Sequence, residues 1–422
     1  MNQLSSSDQR RNVIVNVLDA GMWLFGISFM STTTILPVFL RHLTDSPLLI
    51  GLVPAVLDMG WFLPQLFIAP YVQGRRQYGL VLGLGLIERI PFIVFPILLW
   101  LSPTLASASP VSVAVFFALL VLRALGSGIV APPWQEFIAR IIPLPIRGRF
   151  FSAQQLVGNL LALGGAALGA VVLERYPYPT NFTICFGLGA ASLMVSWGFL
   201  ALSREPVVES ASSGRHSFNR AYISRLREIM QTDRNFRAFL LSRACAYMGT
   251  MALGFLAVAA ITRFNLSDAQ AAIFTTLMIV GGTLGNVCWG PLADRIGYKM
   301  VLWIGTVLWM AALLLAVVGT VVEVTYVVFI LVGMSSAAST VADLGIVMEF
   351  GTDEERPTYI GLARTITAPF LAIAPLLGGL IAQFTSYRVL MLAALPFAAL
   401  SLYLLHWGVQ EPRHMALSKQ SS

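Results

Sequence analysis

Polar residues are spaced so widely along this chain that long apolar stretches recur twelve times, over residues 13–40, 49–72, 79–101, 111–141, 154–173, 181–202, 236–261, 271–292, 298–320, 324–348, 359–383 and 389–407. About 20 helical residues cross a ~30 Å hydrocarbon core, so each run predicts a membrane span. The apolar positions fall on all sides of each run, whereas barrel strands alternate, and only a helix or a closed barrel satisfies its own backbone in lipid. The pattern predicts an all-α integral membrane protein with 12 transmembrane helices in two pseudo-symmetric six-helix bundles. The first run is too long for a signal-peptide core and no small-residue cleavage site follows it, so it reads as a retained helix.

Between the sixth and seventh runs the chain turns polar, with Ser210, Ser212, Ser213 and Gly214 close together. This predicts an N-terminal six-helix bundle over 1–203, a cytoplasmic linker over 204–235, and a C-terminal six-helix bundle and tail over 236–422. Within the linker, Ile223, Leu226 and Ile229 share a helical face opposite Arg225 and Glu228, a pattern that fits an interfacial helix as well as it fits a solvated segment.

Composition agrees: 57% of residues are hydrophobic, 11% are charged and mean hydropathy is +0.77, against about 25% charged in ordinary soluble domains. With both termini in the cytoplasm, the inside loops and tails hold 19 Arg and Lys residues and the outside holds only Arg41, Arg175, Arg263 and Arg388. That bias sets the expected orientation, multi-pass in the inner (cytoplasmic) membrane. It also accounts for the net charge of +7 without a nucleic-acid partner.

Enzymatic chemistry finds little purchase. His42, His216, His406 and His414 fall in loops, a tail and a span end with no ligand spacing, and Cys185, Cys245 and Cys288 are all within spans. No phosphate-cradling glycine loop is present. No enzyme, cofactor or metal is therefore expected.

The two halves echo each other. Asp19, Ala20 and Trp23 in the first run correspond to Arg243, Ala244 and Tyr247 in the seventh, and Glu136-Phe137 ends the fourth run where Glu349-Phe350 ends the tenth. Pro70 and Tyr78–Leu82 likewise answer Pro291 and Tyr298–Leu302. Such repeats mark secondary transporters, whose substrate site lies near the midplane between them.

After the eighth run the chain reads Gly290-Pro-Leu-Ala-Asp294-Arg295-Ile-Gly297-Tyr-Lys299. With twelve spans divided six and six, this resembles the loop signature of the major facilitator superfamily. The resemblance implies alternating access, with a cytoplasmic gate in which Asp294 docks on the start of the fifth span, near Phe151 and Ser152. Arg295 or Lys299 would then pair with Glu349 or Asp353, and Arg149 would sit beside them. The first-half loop has Gln73 where the aspartate is expected, so its Arg75 or Arg76 is left to Glu136, which also lies one turn from Arg140. Ala374-Pro375-Leu-Leu-Gly378-Gly379 in the eleventh run resembles the proline-glycine motif of exporters, although the family carries that motif in the fifth span. Export is favoured slightly on that basis.

Eight ionisable residues lie within spans: Asp19, Asp58, Glu88, Arg89, Arg123, Arg243, Asp343 and Arg364. Each costs about 2.5–3.5 kcal/mol at a helix centre on insertion scales, so such groups pair or line a wet cavity. For Glu88 and Arg89, a static pair and a working one weigh equally. By the resemblance, spans one, four, seven and ten line the cavity, which makes Asp19, Arg123, Arg243 and Asp343 candidates for substrate binding and coupling, with Asp58 beside them. Trp23, Trp61, Trp134 and Tyr247 are candidate cavity aromatics. The expected activity is secondary active transport of a small solute, proton-coupled and by a monomer in the lipid bilayer. Facilitated uptake of a sugar or organic anion is the alternative, followed by a non-transporting receptor or chaperone.

Overall fold

The computed structural model describes residues 5–72, 76–206, 220–351 and 355–411. Gln73, Gly74, Arg75, Ser213, Asp353 and the tail beyond Glu411 lie outside the described residues. Every regular element among those described is helical. The first apolar run is shared by α1 (Ser6–Ser28) and α2 (Ile35–Leu43); α3 (Pro47–Val72), α4 (Gln77–Leu101), α5 (Pro110–Ile141), α6 (Leu144–Arg175) and α7 (Thr180–Ala201) follow the next five. After α8 (Arg220–Thr232), the seventh run divides between α9 (Arg234–Gly249) and α10 (Leu256–Phe264). The rest form α11 (Ala269–Ile296), α12 (Tyr298–Val318), α13 (Val322–Met348), α14 (Arg356–Phe384) and α15 (Tyr387–Tyr403).

Among the described residues, eleven segments are long and apolar enough to cross a membrane, the rejoined stretch Arg234–Phe264 among them. The first run falls outside that set. It is broken at residue 28, and Arg10, Arg11, Asn12, Asn16 and Asp19 dilute the hydropathy of α1.

The first and seventh runs are both interrupted partway along. Pro37 in the first turn of α2 has no N–H to offer Thr33, and the hydroxyls of Ser31 and Thr33 bond each other at 3.3 Å instead of supporting a helix. In the seventh run the chain tightens into a 3-10 stretch over Thr250–Phe255, where the Thr250 hydroxyl donates to the Tyr247 carbonyl at 2.7 Å. Helix α6 begins ten residues before its predicted span because the polar residues ahead of the apolar run also wind helically. Arg147 there donates to the carbonyls of Ala139 and Ile142, at 2.8 and 3.2 Å, and so caps the end of α5.

Contacts separate the chain into unit 1, Met1–Arg215 with Asn265–Thr276, and unit 2, His216–Phe264 with Leu277–Ser422. In unit 1, α1 packs along α6 and α7, α3 along α5, and α4 against α5 and α7. A Cβ on Gly128 of α5 would lie 2.2 Å from the Gly60 carbonyl of α3, so that seam admits only a bare backbone. In unit 2, α12 packs on α13 and α15, and α9 on α14 and α15. There α11 meets α13 by the same device, a Cβ on Gly333 being 2.1 Å from the Met278 carbonyl. At one end of unit 1, Val81, Phe137, Ile141 and Phe150 form a core. In unit 2, Phe236, Phe239, Phe350 and Ile346 do so, and Ile229, Leu226 and Met230 of α8 join them. The linker thus contains a helix whose apolar face packs on protein.

Candidate functional site

Each unit holds its own cluster of buried charge. In unit 2 the cluster is compact. Arg243 projects from α9 and Asp343 from α13, with guanidinium Nε 2.7 Å from carboxylate Oδ1 and Nη2 donating to Oδ2 at 2.8 Å. Tyr247, one turn beyond Arg243, donates its hydroxyl to the same Oδ2 at 2.9 Å and lies under the guanidinium, 4.9 Å from its ring centroid. The i, i+4 spacing on α9 puts both donors on one face. A two-pronged Arg–carboxylate contact fixes geometry as well as charge, and the Asp343 side chain remains 26% exposed while that of Arg243 is 5% exposed. Asp343 is thus the more exposed partner of the ion pair, although its Oδ1 is buried.

In unit 1 the charge is spread over more partners. Asp19 of α1 accepts from the Ser196 hydroxyl of α7 at 2.6 Å, and Arg89 of α4 donates to that same hydroxyl at 3.1 Å. Arg89 also donates to the carbonyls of Leu193, at 2.9 Å, and Gly85, at 2.7 Å, and its guanidinium lies 4.9 Å from the Trp23 ring centroid. Glu88 stands 3.9 Å from Arg89 and accepts from Ser127 of α5 at 2.5 Å. Arg123 of α5 lies over the Phe92 ring at 5.0 Å, and its Nε has no hydrogen-bond partner among the described residues. The Ser196 hydroxyl, which can donate and accept at once, joins Asp19 to Arg89, whereas that of Ser127 ties Glu88 to α5. Spacing alone does not single out Ser196 or Ser127 among many span serines, and neither was foreseen.

The other candidates are placed less centrally. Asp58 on α3 is half-buried and has no charged or hydrogen-bonded partner among the described residues. Trp61 is exposed, Trp134 packs against the Phe137 core, and Arg364 and Arg149 are exposed on α14 and α6. Gln154 donates to the Asn16 carbonyl at 2.9 Å, tying α6 to α1.

The loop signature builds a corner at the start of α12. Gly297 has φ +91°, a conformation open to glycine, and a Cβ there would sit 2.5 Å from the Glu411 carboxyl. Glu411 accepts from the Lys299 backbone N–H at 3.1 Å, while the Lys299 ammonium donates to the His406 carbonyl at 3.0 Å. Gly290 precedes this on α11, where Asp294 and Arg295 are exposed. Lys299 is thus engaged by the segment that follows α15. Unit 1 has a matching corner: Glu205 accepts from the N–H groups of Gln77 and Tyr78 at the start of α4, at 3.0 and 2.9 Å. Arg140 bridges Glu205 at 3.2 Å and Glu136 at 3.0 Å. The sequence held a signal for this pair, since Glu205-Pro206 follows the sixth run as Glu411-Pro412 follows the twelfth.

Comparison with known proteins is consistent with this arrangement. The sequence model of the Major Facilitator Superfamily matches residues 239–421. The nucleoside transporter NupG superposes with a TM-score of 0.73 at 12% identity, covering 95% of this chain and 100% of that one. A D-xylose–proton symporter gives 0.70 at 14% identity, covering 95% and 98%. A bacterial homolog of the human lysosomal transporter Spinster, inward-facing and unoccupied, gives 0.69 at 14% identity, covering 95% and 97%. No curated protein sequence matches.

Proposed function

We propose that this chain, a multi-pass membrane protein of the Major Facilitator Superfamily, carries a small solute across the membrane by alternating access, coupled to protons and with a preference for export. The solved structures it resembles include a nucleoside transporter and a D-xylose–proton symporter. Proton coupling is the finer part of the reading, and a single observation carries it: Asp343 is held by a fixed Arg243–Tyr247 clamp yet stays a quarter exposed. A carboxylate in that position can take a proton when the clamp opens and release it when the guanidinium returns. Asp19, joined to Arg89 only through Ser196, is the corresponding group of unit 1, and Asp58 is a third acid able to take a proton. Trp23 and Tyr247 beside the two clusters offer stacking surfaces for a flat or cationic solute.

The preference for export rests on α14. A Cβ on Gly378 would lie 2.4 Å from the Met251 carbonyl in the 3-10 stretch, so the Pro375–Gly378 segment abuts the interruption of the seventh run, where a helix can hinge. In this reading both termini and the linker are cytoplasmic, the protein works as a monomer in the inner membrane, and the Gly290–Lys299 loop takes part in the gate on that side.

The deciding experiment is flux in proteoliposomes, with nucleosides, pentoses and amphipathic organic ions as first candidates, with and without an imposed pH gradient. Asp343→Asn is expected to abolish gradient-driven accumulation while leaving exchange. If the asparagine variants of Asp19, Asp58 and Asp343 each concentrate solute as the parent does, the coupling is wrong and facilitated diffusion replaces it. Absence of any flux would return the chain to a receptor or chaperone role.

A further inference from the structure

Outside the buried clusters, unit 2 has a cavity of about 220 Å³ at the end formed by the last turns of α10 and α12 and the first turns of α13 and α15. That volume is below the roughly 300–1,000 Å³ of pockets that enclose a drug-sized ligand. Its walls are mostly apolar, among them Ala260, Val328 and Met391, with Thr262, Thr325 and Ser386 also in the lining. Two cations line it, Arg263 and Arg388, and no acid does; Glu323, in the first turn of α13, is not among the lining residues. These are two of only four basic residues on the face expected to lie outside, where membrane proteins carry few.

Their bonding differs. Arg263 donates to the carbonyls of Ala316 and Val317 at 3.0 and 3.4 Å and so caps the C-terminal end of α12. Arg388 makes no hydrogen bond or ion pair with a described residue. A cavity with an apolar interior and two like charges, unneutralised by any lining acid, at a helix-end face has the chemistry of an amphiphile site: the walls suit methylenes and the guanidiniums suit a phosphate.

We infer that this cavity binds one anionic phospholipid, its phosphate between Arg263 and Arg388 and the upper part of one acyl chain against Ala260, Val328 and Met391. The inference is independent of transport and holds whatever the solute.

It is tested by native mass spectrometry of the full chain released from nanodiscs of phosphatidylcholine with graded phosphatidylglycerol. The parent should retain one phosphatidylglycerol selectively. Arg388→Gln, which breaks no bond within the described protein, should weaken that retention about ten-fold, the size expected for one charge-assisted contact. Ala260→Leu, which fills the apolar part and leaves both arginines, should weaken it as well, and circular dichroism establishes that each variant is folded. Equal retention of neutral and anionic lipid by the parent, or unchanged retention by Arg388→Gln, overturns the proposal. Displacement of the bound lipid by soluble glycerol phosphate at matching concentration would instead assign the site to a free anion and equally overturn it.

Discussion

The two units answer the same problem, buried charge, in different ways. In unit 1 charges are relayed through hydroxyls and shared: Ser196 serves both Asp19 and Arg89, Ser127 serves Glu88, and Arg140 serves both Glu136 and Glu205. In unit 2 they are concentrated: Asp343 meets Arg243 and Tyr247 directly. At the corners the contrast sharpens. Glu205 is neutralised by Arg140, whereas Glu411, supported by the backbone N–H groups of Lys299 and Tyr298, has a second carboxylate, Glu349, as its neighbour. A shared network tolerates loss of one member because the others retain acceptors. A concentrated pair does not.

The largest effect expected from that contrast is at Asp343. Removing one partner of a buried ion pair leaves the other uncompensated, at a cost of about 3–5 kcal/mol. Because Asp343 is a quarter exposed, Asp343→Ala should fall at the lower end, about 3 kcal/mol, in the unfolding of the purified protein. Asp19→Ala should cost clearly less, since Arg89 keeps Leu193, Gly85 and Ser196 as acceptors. Equal losses in the two variants would erase the distinction between relayed and concentrated charge.

Next comes the corner of unit 1. Glu205→Ala deprives two N–H groups at a helix start, and Arg140, of one acceptor, and should cost about 2 kcal/mol, in the range for stranded buried donors. A loss below about 0.5 kcal/mol, the size of an ordinary exposed pair, would mean that water replaces the carboxylate freely.

The smallest effect is expected at Glu411, with the opposite sign. Burial pushes its carboxyl above the ordinary value of 4.5, the Lys299 N–H pulls it back, and Glu349 pushes it up again. A folded state that holds its proton more tightly than the unfolded chain loses stability as pH rises from the ordinary value through the raised one. Glu411→Gln should therefore raise the melting temperature at a pH of about 8, with the gain shrinking towards pH 4. A loss at every pH would show that the negative charge on the α12 start outweighs its burial.

How much of this could be read beforehand follows from the range of each interaction. The twelve runs, the interruption between the sixth and seventh, and the loop at Gly290–Lys299 are local patterns, and lipid enforces them because every span must bury its backbone in its own helix. The same solvent rule identified Asp19, Arg89, Arg243 and Asp343 as charges in need of an explanation, since few such residues are tolerated in hydrocarbon. Which charge meets which partner was not legible. Asp19 lies 177 positions from Ser196, and Arg243 lies 100 from Asp343. Those distances close only through helix packing set by contacts such as Gly128 on Gly60 and Gly333 on Met278. The breaks at 29–34 and 250–255 also escaped the hydropathy pattern, because a helix and a broken helix of equal apolarity look alike to it. Hydrophobicity, which acts residue by residue, determined what this chain is made of; hydrogen-bond geometry, which requires two groups in one place, was decided only by the tertiary fold.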